Sequence, residues 1–344
     1  MTTRDPAAAD IPKTAETTKP GRFRSGHAQL TAMRFTVVII IALAGPLAPP
    51  GLRTTLLITL IYGLYAMAYD IVLGYSDQPS LGHGLFFGLG TYGFLLPVAD
   101  HSWALLSGLA MAFVVGGVAA GLLGAAAVRL TEAFHVIVTA LFASIGYLLA
   151  NSLTPITGGS GGRTVDVPPL DLGVVEITMY GPLGTYGLVA GVVIVTFLVL
   201  DRLVRSPVGQ VWIAIRENPQ RAENIGINVY RYKLAAFALS GAVTALAGAL
   251  YAVTLRFASA EFFGFIWSVL PFVWVLIGGA GTLIGALIGA AIFAAFQFYV
   301  AQLWTNYLII LGAALLVMLR FSPKGLVGTW RSFRAGRRTQ TKEA

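Results

Sequence analysis

The chain contains no cysteine, so disulfides, thiolate metal sites and cysteine nucleophiles are excluded together. Charge is almost as scarce: Asp, Glu, Lys and Arg make up 11% of the 344 residues, against about 25% in an ordinary soluble domain. No GxxxxGK[ST] run occurs, so nucleotide is not bound through a P-loop. Ionisable groups at membrane depth are few. Asp70 and His83 lie nearest a possible path, and Glu132, His135, Asp201 and Glu261 sit near span ends. A proton or ion relay needs several such groups in series, so the scarcity argues against ion-driven transport. No cluster of His, Asp or Glu gathers at one depth, as a membrane-embedded enzyme or a metal site would require, and none is expected.

Apolar sequence is what the chain has in abundance. Hydrophobic residues make up 56% and mean hydropathy is +0.77. Runs of roughly 20 apolar residues, enough to cross about 30 Å of hydrocarbon, recur throughout and leave no room for a soluble catalytic domain. The expected fold is all-α, a polytopic transmembrane helical bundle of about ten spans. These are expected at 35–50, 52–73, 79–98, 102–128, 134–152, 182–203, 234–256, 265–277, 282–302 and 304–320. Twenty of the 23 Lys and Arg residues fall on one side of that arrangement, leaving Arg53, Arg163 and Arg256 on the other. By the positive-inside rule both termini of this multi-pass chain are then cytoplasmic. The pI near 9.8 reflects this clustering at span ends and points to a lipid bilayer; nucleic acid is not an expected partner. Residues 1–34 read as a disordered tail without the apolar core of a signal peptide, 35–320 as the membrane domain, and 321–344 as a basic cytoplasmic tail.

Glycine, at 40 residues, is concentrated inside the spans, where small side chains let helices approach closely. Two clusters exceed that need: PSLGHGLFFGLGTYG (79–93) and IGGAGTLIGALIG (277–289). Gly-interrupted segments at corresponding places in two halves point to broken helices along a path, because irregular backbone survives at membrane depth only against protein or water. Two enzyme-like patterns carry no such weight. GLGTYG (88–93) has dinucleotide spacing but lies in an apolar helical run with no βαβ unit. GGSGG (158–162) has the spacing of a nucleophile elbow around Ser160, yet no strand precedes it and no His follows it.

One long polar segment interrupts the apolar chain: SPVGQVWIAIRENPQRAENIGINVYRYK, within the 204–233 loop, dense in Arg. Asn218 and Pro219 suit a helix start and Gly226 a helix end, which predicts a rigid piece of about two turns. Arg216 and Glu217 would supply charged contacts at its edge.

Five separated motifs carry a family resemblance: LGYSDQPSLGHGLFFGLGTYG (73–93), TGGSGG (157–162), the run from VGQVWIAIRENPQRAENIGIN to AGALYA (208–252), IGGAGTLIGALIGA (277–290) and FSPKGLVG (321–328). Together they resemble the LivM-type permease of branched-chain amino acid ABC importers over nearly all of the chain beyond residue 35. The resemblance implies a permease subunit of a bacterial cytoplasmic (inner) membrane, not an enzyme and without cofactors. Its partners would be a second, LivH-like permease subunit, two ATP-binding subunits docking at 204–233 and an extracytoplasmic substrate-binding protein. It implies a path along Ser80, Gly82, His83, Phe87 and Tyr92. It places Gly158, Gly159 and Ser160 in an outer loop, and coupling to the ATPases at Arg216, Glu217, Asn218, Ala222 and Gly226, where Ala222 and Gly226 fit the family's coupling pattern. Two positions depart from the family: Asp77 stands where Gly is usual and Gly161 where Asp is frequent. Urea, amides or aromatic acids are alternative cargoes within the same permease type, and an ion-driven secondary transporter is the alternative class.

Overall fold

The computed structural model describes residues 36, 39–41, 43–171, 176–303 and 312. The expected tails 1–34 and 321–344, and nearly all of the expected span 304–320, lie outside the described residues. The chain divides into two compact units, Met1–Ile41, whose described residues are helical, and Ala42–Ala344, which carries the membrane core.

In hydrocarbon a backbone must satisfy its own N–H and C=O groups, and apolar runs do so as helices. In chain order these are α1 (Pro50–Asp70), α2 (His83–His101), α3 (Leu105–Ala127), α4 (Glu132–Ser152), the single turn α5 (Thr154–Thr157), α6 (Pro182–Arg205), α7 (Pro207–Glu217), α8 (Pro219–Asn224), α9 (Val229–Leu255), α10 (Phe265–Gly278) and α11 (Leu283–Leu303). Proline opens α1, α6, α7 and α8, where its missing N–H would have had no partner anyway. A π-helical turn, Ile71–Tyr75, extends α1. Among the described residues, four two-residue strands make two antiparallel ladders: β1 (Arg163–Thr164) pairs with β4 (Phe257–Ala258), and β2 (Leu170–Asp171) with β3 (Glu176–Ile177).

Among the described residues, five stretches are long and apolar enough to cross a membrane: Leu52–Tyr75, Leu105–Ala127, Ala133–Ser152, Leu183–Arg205 and Val229–Leu255. The pair α10 and α11, bent by 112° at the break between them, makes up to a sixth. The helices follow the expected spans closely, with two informative differences. Residues 79–82 are not helical, because Pro79 and Gly82 delay the helix until His83. The helix expected from 234 starts earlier, at Val229, because the Asn228 side chain caps it by accepting the Arg231 N–H at 3.1 Å.

The core is built around α9, whose apolar window is 83% buried. Its small residues meet the small residues of α2: a Cβ at Gly248 would strike the Phe87 carbonyl, and one at Gly90 the Ala245 carbonyl. Aromatic rings fill the space beside this contact. Phe87 stacks on Tyr65 at 5.0 Å and on Trp267 at 4.8 Å, and Tyr62 stacks on Trp274 at 4.6 Å. Helix α4 is different, with only 22% of its window buried. Phe134, Ile137, Leu141, Ile145 and Leu148, each more than half exposed, form one stripe at three- and four-residue spacing. That face suits acyl chains or another apolar protein surface.

The α2–α9 contact leaves no volume for a side chain. Gly248→Leu is expected to destabilise the protein by about 1–3 kcal/mol through overpacking, whereas Gly187→Ala, with nothing within 4 Å of its added carbon, should be close to neutral. The thermal unfolding midpoint in detergent checks both.

Candidate functional site

Two irregular pieces of backbone meet at the end of α1. The π-helical turn brings Gly74 back beside Asp70, and the break between α10 and α11 brings Gly281 to the same place. Gly279 and Gly281 turn that corner with φ of 109° and 77°, a conformation that glycine adopts without steric penalty. The fully buried Asp70 carboxylate accepts the Gly281 N–H through Oδ1 at 2.7 Å, and the Thr282 N–H also faces it. A carboxylate thus meets the orphan N–H groups at the N-terminus of α11, the end of a helix that attracts negative charge. Asp70 Oδ2 has no hydrogen-bond partner among the described residues. From the other side, Arg216 Nη1 donates to the Gly74 carbonyl. A Cβ at Gly281 would come within 2.8 Å of that guanidinium, and one at Gly74 would run into the Asp70 carboxylate.

Arg216 belongs to the polar segment, which is mostly helical. Helices α7 and α8 meet at Asn218, whose side chain accepts the Arg221 N–H at 2.9 Å. Helix α8 ends in a Schellman motif: the Ile227 N–H reaches the Ala222 carbonyl at 3.1 Å, the Gly226 N–H reaches the Glu223 carbonyl at 2.9 Å, and Gly226 sits at φ 88°. The pair is held as a unit on the start of α9. Ile215, Ala222 and Val229 form a small buried cluster, and the Trp212 Nε1–H donates to the Tyr232 carbonyl at 2.9 Å. Glu217 and the apolar Ile225, 76% exposed, face outward from it.

The five residues expected along a path are all buried. Ser80, Gly82 and His83 come together at the corner that starts α2. The Tyr69 hydroxyl donates to the Ser80 carbonyl at 2.6 Å and accepts the Ser80 N–H at 3.2 Å, and the Gly82 N–H donates to Ser80 Oγ at 3.2 Å. His83 bridges Ser80 Oγ at 3.1 Å and Ser240 Oγ at 2.9 Å. Because Ser240 gives its single proton to the Ala68 carbonyl, at 2.6 Å, the proton on His83 sits on Nε2, and Nδ1 accepts from Ser80. Phe87 lies a turn further on, within the aromatic core. Tyr92 points away from that corner, and its hydroxyl donates to the Thr157 carbonyl at 2.8 Å, linking α2 to the 157–162 loop. In that loop Gly158 and Gly159 have φ of 75° and 61°, and Ser160 is exposed. Arg163 grips both oxygens of Asp100, at 2.6 and 3.1 Å, and this hydrogen bonding holds the Asp100 carboxyl below the usual carboxylate range.

Sequence reasoning singled out Asp70 and Arg216 separately and did not connect them. It placed Gly281 in the 277–289 cluster read as a helix break without linking it to Asp70, and it missed Gly74, Ser240 and Ser268, the last accepting the Gly84 N–H at 2.9 Å. The doubled glycine before Ala280 in GGAGT was the available signal for the corner. Removing the acceptor leaves a buried N–H without a partner, so Asp70→Ala is expected to destabilise by about 1–3 kcal/mol. Asp70→Asn, which keeps an acceptor oxygen, should lose less. The order of thermal midpoints, wild type above Asn above Ala, is the check.

Comparison with known proteins agrees with this architecture. Residues 51–319, well over half of the chain, match the family described as branched-chain amino acid transport system / permease component. The chain is 28% identical over 311 residues to the high-affinity branched-chain amino acid transport system permease protein LivM of Salmonella typhimurium, covering 84% of this chain and 73% of that one. It is 27% identical over 312 residues to LivM of Escherichia coli K12, with the same coverage. To the permease protein LivH of Salmonella typhimurium it is 27% identical over 284 residues, 78% of this chain and 91% of LivH. No solved structure matches it. With its apolar helices and its Gly-interrupted pair, the chain belongs to the branched-chain amino acid transport permease family.

Proposed function

We propose that this chain is the membrane-spanning permease subunit of an ATP-binding-cassette importer for branched-chain amino acids. It works beside a second, LivH-like permease, two ATP-binding subunits and an extracytoplasmic binding protein. It is a multi-pass inner-membrane protein with about ten crossings: the five long helices, α2, the two arms of the bent pair, and the apolar segments 35–50 and 304–320. Both termini and the α7–α8 element face the cytoplasm, in keeping with the distribution of Lys and Arg. The chain carries no nucleotide site of its own, so the work comes from outside.

One observation carries this reading. The exposed α7–α8 element is tied by the Arg216–Gly74 hydrogen bond to the point where a π-helical turn and a broken helix meet. Residues 204–233 form the docking element for the ATPases, with Glu217 and Ile225 on its outward surface and Ala222, Asn218 and Gly226 shaping it. Because it is braced on α9, a displacement imposed by ATP-driven closure moves Arg216 with it. The load then falls on Gly74 and Gly281, the backbone positions best able to change conformation. Alternating access requires the two states to bind cargo with different free energies. A corner held by single hydrogen bonds is a bistable element of the right scale. Ser80, Gly82, His83, Phe87 and Tyr92, all buried in this chain, form the frame behind the path, and the 158–160 loop meets the binding protein.

The test is reconstitution of the four kinds of subunit in proteoliposomes with radiolabelled leucine. Uptake should require ATP and the binding protein. Leucine uptake by this chain alone under a proton or sodium gradient would overturn the assignment. Ile225→Asp should lower ATP-driven uptake by roughly tenfold, on the scale of a coupling free energy of about 1–3 kcal/mol, with membrane insertion and thermal midpoint unchanged. Arg216→Ala should leave the ATPases bound and hydrolysing while uptake falls similarly. Gly226→Pro, whose ring cannot adopt φ 88°, should abolish uptake.

A further inference from the structure

An open cavity of about 460 Å³ lies between the 77–79 turn, the α3–α4 connection and the start of α9, within the size range of small-ligand sites. None of Ser80, Gly82, His83, Phe87 and Tyr92 lines it, and of the 204–233 element only its last residue, Lys233, does. Among the described residues its walls carry one carboxylate, Asp77, and one ammonium, Lys233, and neither makes an ion pair. Two further lining residues, Gln78 and His135, are each only 4% exposed. The Gln78 amide nitrogen donates to Ser76 Oγ at 2.8 Å and to the Lys233 carbonyl at 3.3 Å, leaving Oε1 buried with no partner. His135 Nδ1 faces the Ala127 carbonyl at 2.9 Å and must donate to it, so Nε2 is an acceptor, also buried and unpartnered.

The cavity therefore presents an exposed carboxylate, Asp77, and a part-exposed cation, Lys233, while Gln78 Oε1 and His135 Nε2 stay buried within the lining residues. An ammonium group has three donors and no acceptor, and a carboxylate seeks a cation. Val128, Leu130 and Ala133 supply an apolar side to the same cavity. Asp77 also sits at φ 52° without being glycine, the kind of backbone strain that collects at functional sites. We propose that this cavity binds a zwitterionic aliphatic amino acid, its ammonium held by Asp77 and its carboxylate by Lys233. The choice of cargo class and of the cytoplasmic side rests on the importer reading; the donor and acceptor inventory does not. Because Lys233 continues the α7–α8 element into α9, an occupant fastens that element to the α3–α4 connection. Occupancy by imported amino acid then slows further import.

The experiment measures binding of radiolabelled leucine to the full chain in nanodiscs, without binding protein. α-Ketoisocaproate, which lacks the ammonium, and isopentylamine, which lacks the carboxylate, serve as competitors. Asp77→Gly removes the carboxylate while relieving the backbone, and Lys233→Met removes the cation. Each should weaken leucine binding at least about tenfold, and both competitors should be far weaker than leucine. Leucine binding unchanged in both variants, or either competitor matching leucine, would overturn the proposal. In reconstituted importer, luminal leucine should depress the rate of uptake in the wild type and lose that effect in Asp77→Gly; equal inhibition in both would also overturn it. Absence of ATP-driven uptake in the wild type, with specific leucine binding intact, would refute the importer reading and leave this site standing.

Discussion

Lipid gives a bent backbone nothing to bond with, and the architecture of this permease follows from that constraint. A helix crossing the membrane closes its own hydrogen bonds, but a helix that breaks there exposes N–H groups that only the protein can satisfy. The break between α10 and α11 is satisfied by the carboxylate of Asp70, from another helix. Glycine at 74 and 281 makes the approach possible, since a side chain at either position would occupy the space the carboxylate or the Arg216 guanidinium needs. An irregular point that would otherwise be a defect becomes the place where α1, α11 and the polar α7–α8 element are joined.

The same economy governs the start of α2. His83 is buried among Tyr69, Phe86 and Phe237 and yet uses both ring nitrogens, each on a serine hydroxyl. Through Ser240 and the Ala68 carbonyl this chain of bonds ties α2, α9 and α1 together. Two polar knots meet on α1, the one at Asp70 joining it to α11 and Arg216 and the one at His83 joining it to α2 and α9. The glycine and aromatic contacts between α2 and α9 set how closely the helices approach.

Much of this was legible in the sequence, for physical reasons. Apolar length reports spans directly, and the helices fall near their expected limits because proline and glycine mark the ends in lipid as they do in water. The Asn218-Pro219 start and Gly226 stop of α8 were readable because caps are local. What could not be read was pairing across distance. Nothing near Asp70 announces a partner 211 residues away, and nothing near Arg216 announces that its guanidinium turns inward to Gly74. The path residues show the converse limit: their residue types suggested contact with cargo, while in this chain every one is buried, with Ser80, His83 and Tyr92 already committed to neighbours by hydrogen bonds. The unpartnered acceptors on Gln78 and His135 are likewise invisible until the fold brings them to one wall.

The distance between Asp70 and Gly281 also bears on how the protein is made. At about 5–20 residues per second of synthesis, roughly 10–40 s separate the emergence of the carboxylate from that of the backbone amide that receives it. Throughout that interval the first long helix carries an acidic group into the bilayer without its eventual counterpart. Biogenesis must therefore shelter this helix, in the insertion machinery or at the lipid headgroups, until nearly the whole chain has been delivered. A truncation that stops short of the second glycine cluster would leave a segment ill suited to remain where it was inserted.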